Sequence, residues 1–542
     1  MEGITKVKYS VLAVAAIIFT SCVGSLLDKQ PLTSIASENF WTTSNDAYLA
    51  LAGVYSKSTT WTSSEQICAF DANSDNGINR KPNAAFLTYG NLNTSTSEIK
   101  SYWNGSYREI AAANFFLENI DQVSELDDEE KNQLKAEVRF LRAFTYFNLY
   151  SYWGDVPLVT KLLDQNEANT VSVTDKTQVY EFLLTELSEI APYLPETRPG
   201  TEHGRILKGA ALALKGRLLM WDKKWQEAAQ AFEAVIESGV HVIDNQYEEL
   251  FNGKNENSRE IIFSRKYLEG EVTNPTQLYY RPSLGGGWHH LNPSQDLVDS
   301  YLCIDGLPIG ESPLYDVNYP VVKNGVNYRD PRLTKTIFYP GISLLNNVLY
   351  QGHPDSTSVI GDVFTYDAGM TGYCLQKYVD NTYNGDLYNS GVDIPVIRYA
   401  EVLLSYLECQ IMAGEAITTA LLDLTINSVR RRATVNMPDV TEKNSNLLLE
   451  IVKRERRVEL AFEGLRYWDL ARWGEVDERL SNKVLYGIKL TNDPSSYTRF
   501  PVGPQGHYKV LTLKASASDL PWPIPQDEID INRNLEQKEN WK

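Results

Sequence analysis

The feature that most constrains the fold is a pair of adjoining helical patterns between residues 207 and 239. In "WQEAAQAFEAVIESG", Ala228 and Phe232 lie four residues apart on one apolar face, and Gly239 suits the end of a helix. The preceding pattern, at residues 207–221, is rich in alanine, which allows a second helix to approach closely. The Ala-x-x-x-Phe element is typical of the second helix of a tetratricopeptide unit. Because such a pair buries its apolar face only by stacking on neighbours, the sequence predicts an array of helix pairs.

Helical periodicity recurs in both halves of the chain. Before this pair it is found at residues 46–55, 102–120, 129–152 and 179–194. It resumes in "YAEVLLSYLECQIMAGEA" and "LLEIVKRERRVELAFEGLRYWDLARWG". The sequence therefore predicts a mainly α fold whose helices form a scaffold of tetratricopeptide-like pairs.

The region between these helical blocks has a different texture. Gly, Pro, Asn and Asp interrupt it every few residues, tyrosines are frequent, and Trp288 is its only tryptophan. A loop-rich stretch of this length is expected to fold against the helices and to carry the binding function. We expect one domain, at residues 22–542. Its parts are a helical scaffold at about 37–265 and 395–480, a loop-rich binding region at about 266–394, and an extended C-terminal tail at about 481–542.

Charge restricts the class of ligand. The formal net charge is -19, and a surface this acidic repels polyanions, so nucleic acid is not an expected partner. The chain contains 32 Tyr and 11 Trp, which is compatible with neutral ligands that have flat apolar faces and many hydroxyl groups.

The N-terminus has the pattern of an export signal. Lys6 and Lys8 precede the apolar run "YSVLAVAAIIF", and Ser21 and Cys22 follow it. The run is too short to span a membrane. The pattern predicts a lipoprotein signal peptide at residues 1–21 and acylation of Cys22, which would anchor the chain to a membrane. The alternative is an ordinary secretory signal in which Cys22 has no role.

The other four cysteines are Cys68, Cys303, Cys374 and Cys409. They are far apart and contain no CxxC spacing, so we expect no metal site from them. Two interpretations remain open: pairing in one of three disulfide connectivities, or isolated thiols that act as small buried apolar residues.

The candidate catalytic groups are Glu455, Glu459 and Glu463, spaced four residues apart in a helical pattern. Their spacing of roughly 6 Å would suit a carboxylate pair of the kind that retaining glycosidases use. Arginines crowd the same segment, and arginine pairing would keep these glutamates ionised, whereas a general acid needs a raised pKa. We interpret them as a structural ion-pair network, and we predict a binding protein without a cofactor rather than an enzyme.

The stretch "DANSDNGINR", residues 71–80, resembles a calcium loop because Asp71, Asn73 and Asp75 alternate along it. As an EF-hand it fails, since Asn76 occupies the glycine position and Pro82 the position of the bidentate glutamate. We therefore predict no metal here.

The same residue types suit a sugar, which has an apolar face and a rim of hydroxyl groups. Carboxylates and amides accept from or donate to the hydroxyls, and an aromatic ring packs on the face. One candidate site combines Trp61 with Asp71, Asn73, Asp75 and Arg80, in which Asp75 and Arg80 are the favoured contacts.

A second candidate site lies in "YYRPSLGGGWHH", where Tyr280, Arg281, Trp288, His289 and His290 cluster around flexible glycines. A third, weaker one is the strip "QKYVDNTYNGDLYN", which contains Tyr383. Burial in the core is the alternative for each aromatic residue.

Five segments in order resemble the SusD/RagB family of outer-membrane lipoproteins. They are "LLDKQPLTSIASENFWTTSNDAYLALAGVY", "AEVRFLRAFTYFNLYSYWGDVPL", "IPVIRYAEVLLSYLEC", "RERRVELAFEGLRYWDLARWG" and "PIPQDEI...LEQKENW". The resemblance implies a cell-surface nutrient-binding protein that is lipid-anchored in the outer membrane. Its scaffold of helix pairs would support an irregular ligand-binding face. It also implies a SusC-like TonB-dependent transporter as partner, to which oligosaccharides are delivered. The alternatives are RagB-like uptake of peptides and a glycoside hydrolase.

Overall fold

The computed structural model describes residues 40–352, 369–490 and 502–542. The expected signal peptide and Cys22 lie outside the described residues. Among the described residues, no helix combines the length and apolar character that a membrane span requires.

The chain is mainly helical, as the periodicity predicted. The helices are Ser44–Lys57, Ser64–Phe70, Ser97–Asn119, Asp128–Trp153, Gln165–Ala168, Lys176–Ile190, Lys208–Trp221, Trp225–Glu237, Thr276–Tyr280, Gln295–Ser300, Arg332–Thr336, Tyr399–Ala413, Thr419–Leu424, Ile426–Arg430, Ser445–Glu459, Arg466–Trp473, Val476–Leu480 and Gln526–Ile531.

The strands are short and pair two by two, always antiparallel. The pairs are Gly77–Asn79 with Leu291–Pro293, Ile261–Arg265 with Ile394–Arg398, Val322–Lys323 with Val326–Asn327, Ile337–Phe338 with Cys374–Leu375, Leu344–Leu345 with Val348–Leu349, and Val484–Lys489 with His507–Thr512.

The long helices form the predicted scaffold by packing on one another in chain order. Polar caps start several of them: the side chains of Thr43, Asp127 and Asp175 each accept a hydrogen bond from a backbone N–H of the first turn. In the pair at residues 208–237, Phe232 packs against Gly216 so closely that a Cβ added there would lie 2.5 Å from the ring. The predicted fold of stacked helix pairs is confirmed.

The loop-rich region leaves and rejoins the scaffold at one place. Strand Ile261–Arg265 precedes it, strand Ile394–Arg398 follows it, and the two pair with each other. Between them, residues 266–352 and 369–393 form short helices and short strands, as the composition of the region predicted. Its entry and exit are thus held side by side on the helical scaffold.

The three spaced glutamates form a buried ion-pair network, as interpreted from the sequence. Glu459 is fully buried and pairs with Arg332 at 2.9 Å, Arg398 at 3.2 Å and Arg432 at 2.8 Å. Burial alone would raise the pKa of Glu459, but these three arginines hold it well below its usual range. A carboxylate held in this way cannot supply a proton as a general acid at neutral pH.

The other two glutamates join the same network. Glu463 pairs with Arg398 at 2.7 Å and with Lys377 at 2.5 Å, while Glu455 pairs with Arg332 at 2.6 Å. Most of these cations come from distant segments rather than from the arginines next to the glutamates in sequence. The network therefore ties the loop-rich region to the scaffold.

The C-terminal segment departs from the extended tail that its prolines indicated. It contains a hairpin and a short helix, and it inserts Trp522 into the core, where the ring stacks on Tyr152 at 4.4 Å between centroids. Trp153 Nε1 donates to the Pro523 carbonyl at 2.9 Å. One cluster of buried side chains includes residues from Trp41 to Leu535. That the chain forms a single domain stays a prediction.

The structure favours the second interpretation of the cysteines, as isolated buried thiols. Cys68, Cys303, Cys374 and Cys409 are all buried, and no disulfide joins any two of them. They act as small apolar residues.

Candidate ligand-binding site

The loop-rich region presents a cluster of aromatic side chains at the surface. Trp288 is 36% exposed and stacks on Tyr279, with centroids 5.4 Å apart and planes at 24°. Tyr388 is 59% exposed and meets Trp288 edge to face at 6.0 Å. We call Tyr279, Trp288 and Tyr388 the aromatic platform.

A tight glycine loop turns Trp288 outward. Gly286 has φ +78°, and a Cβ on Gly287 would lie 2.1 Å from the Arg281 carbonyl oxygen. The backbone N–H of Trp288 donates to the Leu278 carbonyl at 2.6 Å, which closes the loop on itself. The glycines are therefore required for the position of the ring.

Arg281 and His289 support this loop from inside. The Arg281 guanidinium donates to the carbonyls of Asp380 and Tyr383 at 2.8 and 2.9 Å. His289 is buried, its Nε2 lies 3.0 Å from the Tyr373 carbonyl, and burial lowers its pKa to about 4. Both were predicted to contact ligand, and the structure instead gives them positions in the interior.

Tyr280 is also interior, since it is buried and its hydroxyl donates to the Ser64 carbonyl at 3.0 Å. Its neighbour Tyr279 is only partly buried and stacks on Trp288. The doublet "YY" therefore divides into one core residue and one platform residue, which the sequence left open.

A cleft of about 360 Å³ lies beside the platform. Its lining includes Glu65, Asn79, Lys81, Tyr279 and His290. Lys81 Nζ lies 5.0 Å from the centroid of the Tyr279 ring. Burial, and then the charge of Lys81, lower the pKa of His290 to about 3, so its imidazole is neutral at physiological pH. The cleft thus combines acidic, basic and neutral hydrogen-bonding groups next to stacked rings.

The stretch "DANSDNGINR" does not reach this cleft with its acidic residues. Asp75 is buried and accepts two hydrogen bonds of 2.8 Å from Arg466, and Arg457 lies 3.3 Å away. Burial alone would raise the pKa of Asp75, but the charges of Arg457 and Arg466 hold it well below its usual range. We therefore correct the prediction that Asp75 reads sugar hydroxyls, because its oxygens are committed to arginines.

Asp71 and Asn73 are likewise interior. Asp71 accepts from the backbone N–H of Phe462 and from Asn76 Nδ2, and burial raises its pKa to about 6. Asn73 donates to the Ala84 carbonyl and accepts from the Leu87 N–H at 3.0 Å. The polar atoms of both side chains therefore bond to other parts of the protein rather than face a ligand.

Trp61 belongs to the core. It is buried, stacks on Tyr102 at 4.6 Å and on Tyr152 at 5.7 Å, and donates from Nε1 to the Ser106 hydroxyl at 2.9 Å. The sequence showed only turn residues around it because its partners come from two later helices. The expectation of ligand contact is corrected.

Arg80 and Tyr383 lie nearer to the platform. The backbone N–H of half-buried Arg80 donates to the His290 carbonyl at 2.9 Å, which extends the pairing of strands Gly77–Asn79 and Leu291–Pro293. Tyr383 is partly exposed, and its hydroxyl lies 3.0 Å from the Glu269 carboxylate. The structure thus brings the three sequence strips together, although with different residues facing outward.

Sequence reasoning missed five residues at this site: Glu65, Asn79, Lys81, Tyr279 and Tyr388. Tyr279 and Tyr388 lie within the quoted strips, as Asn79 does within "DANSDNGINR", and Lys81 follows Arg80, so proximity to the chosen residues was the available signal. Which neighbour faces solvent depends on tertiary contacts.

Comparison with known proteins agrees with this architecture. The family model described as "SusD family" matches residues 248–541, and the model described as "Starch-binding associating with outer membrane" matches residues 27–220. The first of these covers more than half of the chain.

Individual relatives span most of the chain. A SusD-like protein of Formosa agariphila is 25% identical over 471 residues, which cover 83% of this chain and 86% of that protein. The starch-binding protein SusD of Bacteroides thetaiotaomicron is 26% identical over 470 residues, covering 80% of this chain and 77% of that protein. The crystal structure of a SusD-like carbohydrate-binding protein from Bacteroides fragilis superposes with a TM-score of 0.86 at 37% identity, covering 92% of this chain and all of the other. The resemblance found in the sequence is confirmed: this chain belongs to the SusD family.

Proposed function

We propose that the protein is a non-catalytic, cell-surface binding protein for oligosaccharides. The observation that carries the proposal is the exposed aromatic platform beside a cleft of mixed polar groups. The proposal draws support from the names of two relatives, one starch-binding and one carbohydrate-binding.

The platform suits a sugar for a physical reason. The C–H face of a pyranose ring is apolar and packs on an aromatic face, which gains burial energy without desolvating the hydroxyl rim. Trp288 and Tyr388 meet nearly at right angles, at 89°, so together they form a corner against which a ring can be held on two sides.

The neighbouring polar groups suit the hydroxyl rim. Glu65 offers acceptors, Lys81 offers donors, and the amide of Asn79 and the neutral imidazole of His290 can each do both. A set of this kind fixes the orientation of a neutral, hydroxyl-rich ligand.

The proposed setting is the outer membrane. The expected anchor is Cys22, and the expected partner is a SusC-like TonB-dependent transporter that receives the bound oligosaccharide. The name of the second family model, which refers to association with the outer membrane, supports this setting.

We propose no catalytic step. The spaced glutamates that most resembled a glycosidase pair are buried and paired with arginines, remote from solvent. Incubation of the protein with a glycan that it binds should return that glycan with its chain length unchanged. Shortened products would establish hydrolysis instead.

Isothermal titration calorimetry with a panel of neutral oligosaccharides, including starch and β-glucan fragments, tests the proposal. Wild type should bind at least one of them, and Trp288→Ala or Tyr388→Ala should weaken that binding about tenfold or more, equivalent to about 1.4 kcal/mol. Tyr319→Ala is the matched control, because Tyr319 is 53% exposed but lies outside the platform and the cleft lining. Binding of oligopeptides and of no glycan would favour the RagB-like alternative.

A further inference from the structure

A second cleft lies between helix Ser44–Lys57 and the start of the loop-rich region. Its volume is about 410 Å³, within the range of small-molecule sites. Its lining includes Tyr48 and Tyr55 from that helix, Arg265 and Tyr267 from the start of the loop-rich region, and His203. We call it the arginine cleft. It shares no lining residue with the cleft beside the aromatic platform.

The charge of the arginine cleft is unusual for so acidic a chain. His203, Arg205, Arg265 and Lys266 line it, and no aspartate or glutamate of the described chain is among the lining residues. The net charge of the whole chain is -19, so a lining with basic side chains and no carboxylate marks a local preference for anions.

The carboxylates that pair with two of these cations lie behind the lining. Arg205 pairs with buried Glu137 at 2.6 Å and with partly exposed Glu202 at 2.9 Å, and Lys266 pairs with buried Asp393; none of the three carboxylates belongs to the lining. They fix the positions of the cations and leave the cleft itself without an anion.

Arg265 is the cation that lacks a carboxylate. Among the described residues it forms no ion pair, and its guanidinium donates to the backbone carbonyls of Tyr55 and Ser56, at the end of helix Ser44–Lys57. Its Nε is buried without a partner, and so is Nδ1 of His203. An acceptor group of a ligand in the cleft would give these nitrogens a hydrogen-bond partner.

The cleft also has apolar surface for the body of a ligand. The guanidinium groups lie over tyrosine rings, Arg205 at 5.5 Å from Tyr48 and Arg265 at 5.8 Å from Tyr267. Leu268 and Val272 are exposed at the mouth. A ligand with a flat apolar face and one anionic group would match both features.

We propose that the arginine cleft is a second glycan site, which binds an acidic sugar residue through its anionic substituent. The carboxylate of a uronic acid or the sulfate of a sulfated sugar is held by Arg265 and Lys266, and the sugar ring packs on Tyr48 or Tyr267. The choice of a sugar as the carrier of the anion rests on the proposed function, whereas the preference for an anion rests on the cleft alone.

Ligand-observed NMR on the full chain at low ionic strength tests this proposal, with D-glucuronic acid, glucose 6-sulfate and neutral D-glucose as probes. At least one acidic probe should bind, and glucose should bind about tenfold or more weakly, because the charge-assisted hydrogen bonds are lost. Preference between the two acidic probes identifies carboxylate or sulfate as the anion. Equal binding of all three would overturn the proposal.

Variants locate the site. Arg265→Gln should lower the affinity for the acidic probe about tenfold, whereas Arg259→Gln should leave that affinity unchanged. Arg259 is the matched control, since its guanidinium also bonds backbone carbonyls, of Gly239 and Val240, but lies outside the cleft. If Arg265→Gln fails to fold, Leu268→Glu and Leu268→Lys provide the test at an exposed position of the mouth. Leu268→Glu should weaken binding of the acidic probe, and Leu268→Lys should not. Equal affinity of the two variants for this probe would contradict the proposal.

Trp288→Ala separates the two proposals. Acidic-probe binding that survives this change belongs to the arginine cleft, even if neutral glycan binding at the platform is lost. Loss of acidic-probe binding in Trp288→Ala would place the probe on the platform and refute the second site. Neutral glycan binding without any acidic-probe binding would refute the second site and leave the proposed function standing.

Discussion

Replacement of Asp75 by asparagine separates the structural interpretation of "DANSDNGINR" from the sugar-binding one. Asp75 is buried with Arg466 in a two-point contact of 2.8 Å at each oxygen. In Asp75→Asn the charge of Arg466 loses its partner while its burial remains. Loss of one partner of a buried pair destabilises by about 3–5 kcal/mol, because the remaining charge is uncompensated.

The assay is urea unfolding of wild type, Asp75→Asn and a control, Asp439→Asn. Asp439 makes a similar two-point contact with Arg431, but both side chains are exposed, so this change should have little effect on the free energy of unfolding. Glycan affinity of the folded Asp75→Asn protein should equal that of wild type. Unchanged stability together with loss of glycan binding would refute the structural interpretation.

Three further predictions follow from single residues. Burial raises the pKa of Asp71 from 3.8 to about 6, so its ionisation opposes folding: its contribution to stability is fully present below pH 4 and is lost as the pH rises towards 6. The unfolding free energy of wild type minus that of Asp71→Asn should therefore fall between pH 4 and pH 7, and a flat difference would contradict the assignment. Gly287→Ala should reduce glycan affinity, because its Cβ would meet the Arg281 carbonyl and displace the loop that presents the platform, whereas Gly310→Ala, where a Cβ meets nothing within 4 Å, should not. Trp522→Ala should lower the unfolding free energy by about 3–5 kcal/mol, measured by urea denaturation, and a loss below about 1 kcal/mol would mean that the C-terminal segment is not part of the core.

The fold was largely predictable because helical periodicity is a local signal. The pairing of residues 208–237 through Phe232, the helices around it and the irregular character of residues 266–394 all follow from patterns within short windows. The ion-pair interpretation of Glu455, Glu459 and Glu463 also held. Their cationic partners, however, come from other segments of the chain and not from the arginines of their own helix that the sequence indicated.

The candidate site was less predictable because burial is decided by distant residues. Asp75 looked available because Arg466, its partner, is 391 residues away. Trp61 looked exposed because Tyr102 and Tyr152 reach it from later helices. Trp288 was singled out correctly as lying in a loop, since three glycines precede it, but the identity of its stacking neighbour required the structure.

The central claim is that the aromatic platform holds the ligand, and the location of a bound sugar tests it most directly. A crystal structure of the protein with the oligosaccharide that binds most tightly in the calorimetric panel provides that location. We predict a sugar ring packed against Trp288 and Tyr388, with hydroxyl groups directed into the cleft lined by Glu65 and Lys81. A sugar bound elsewhere on the chain, with Trp288 and Tyr388 left in contact with solvent, would contradict the account.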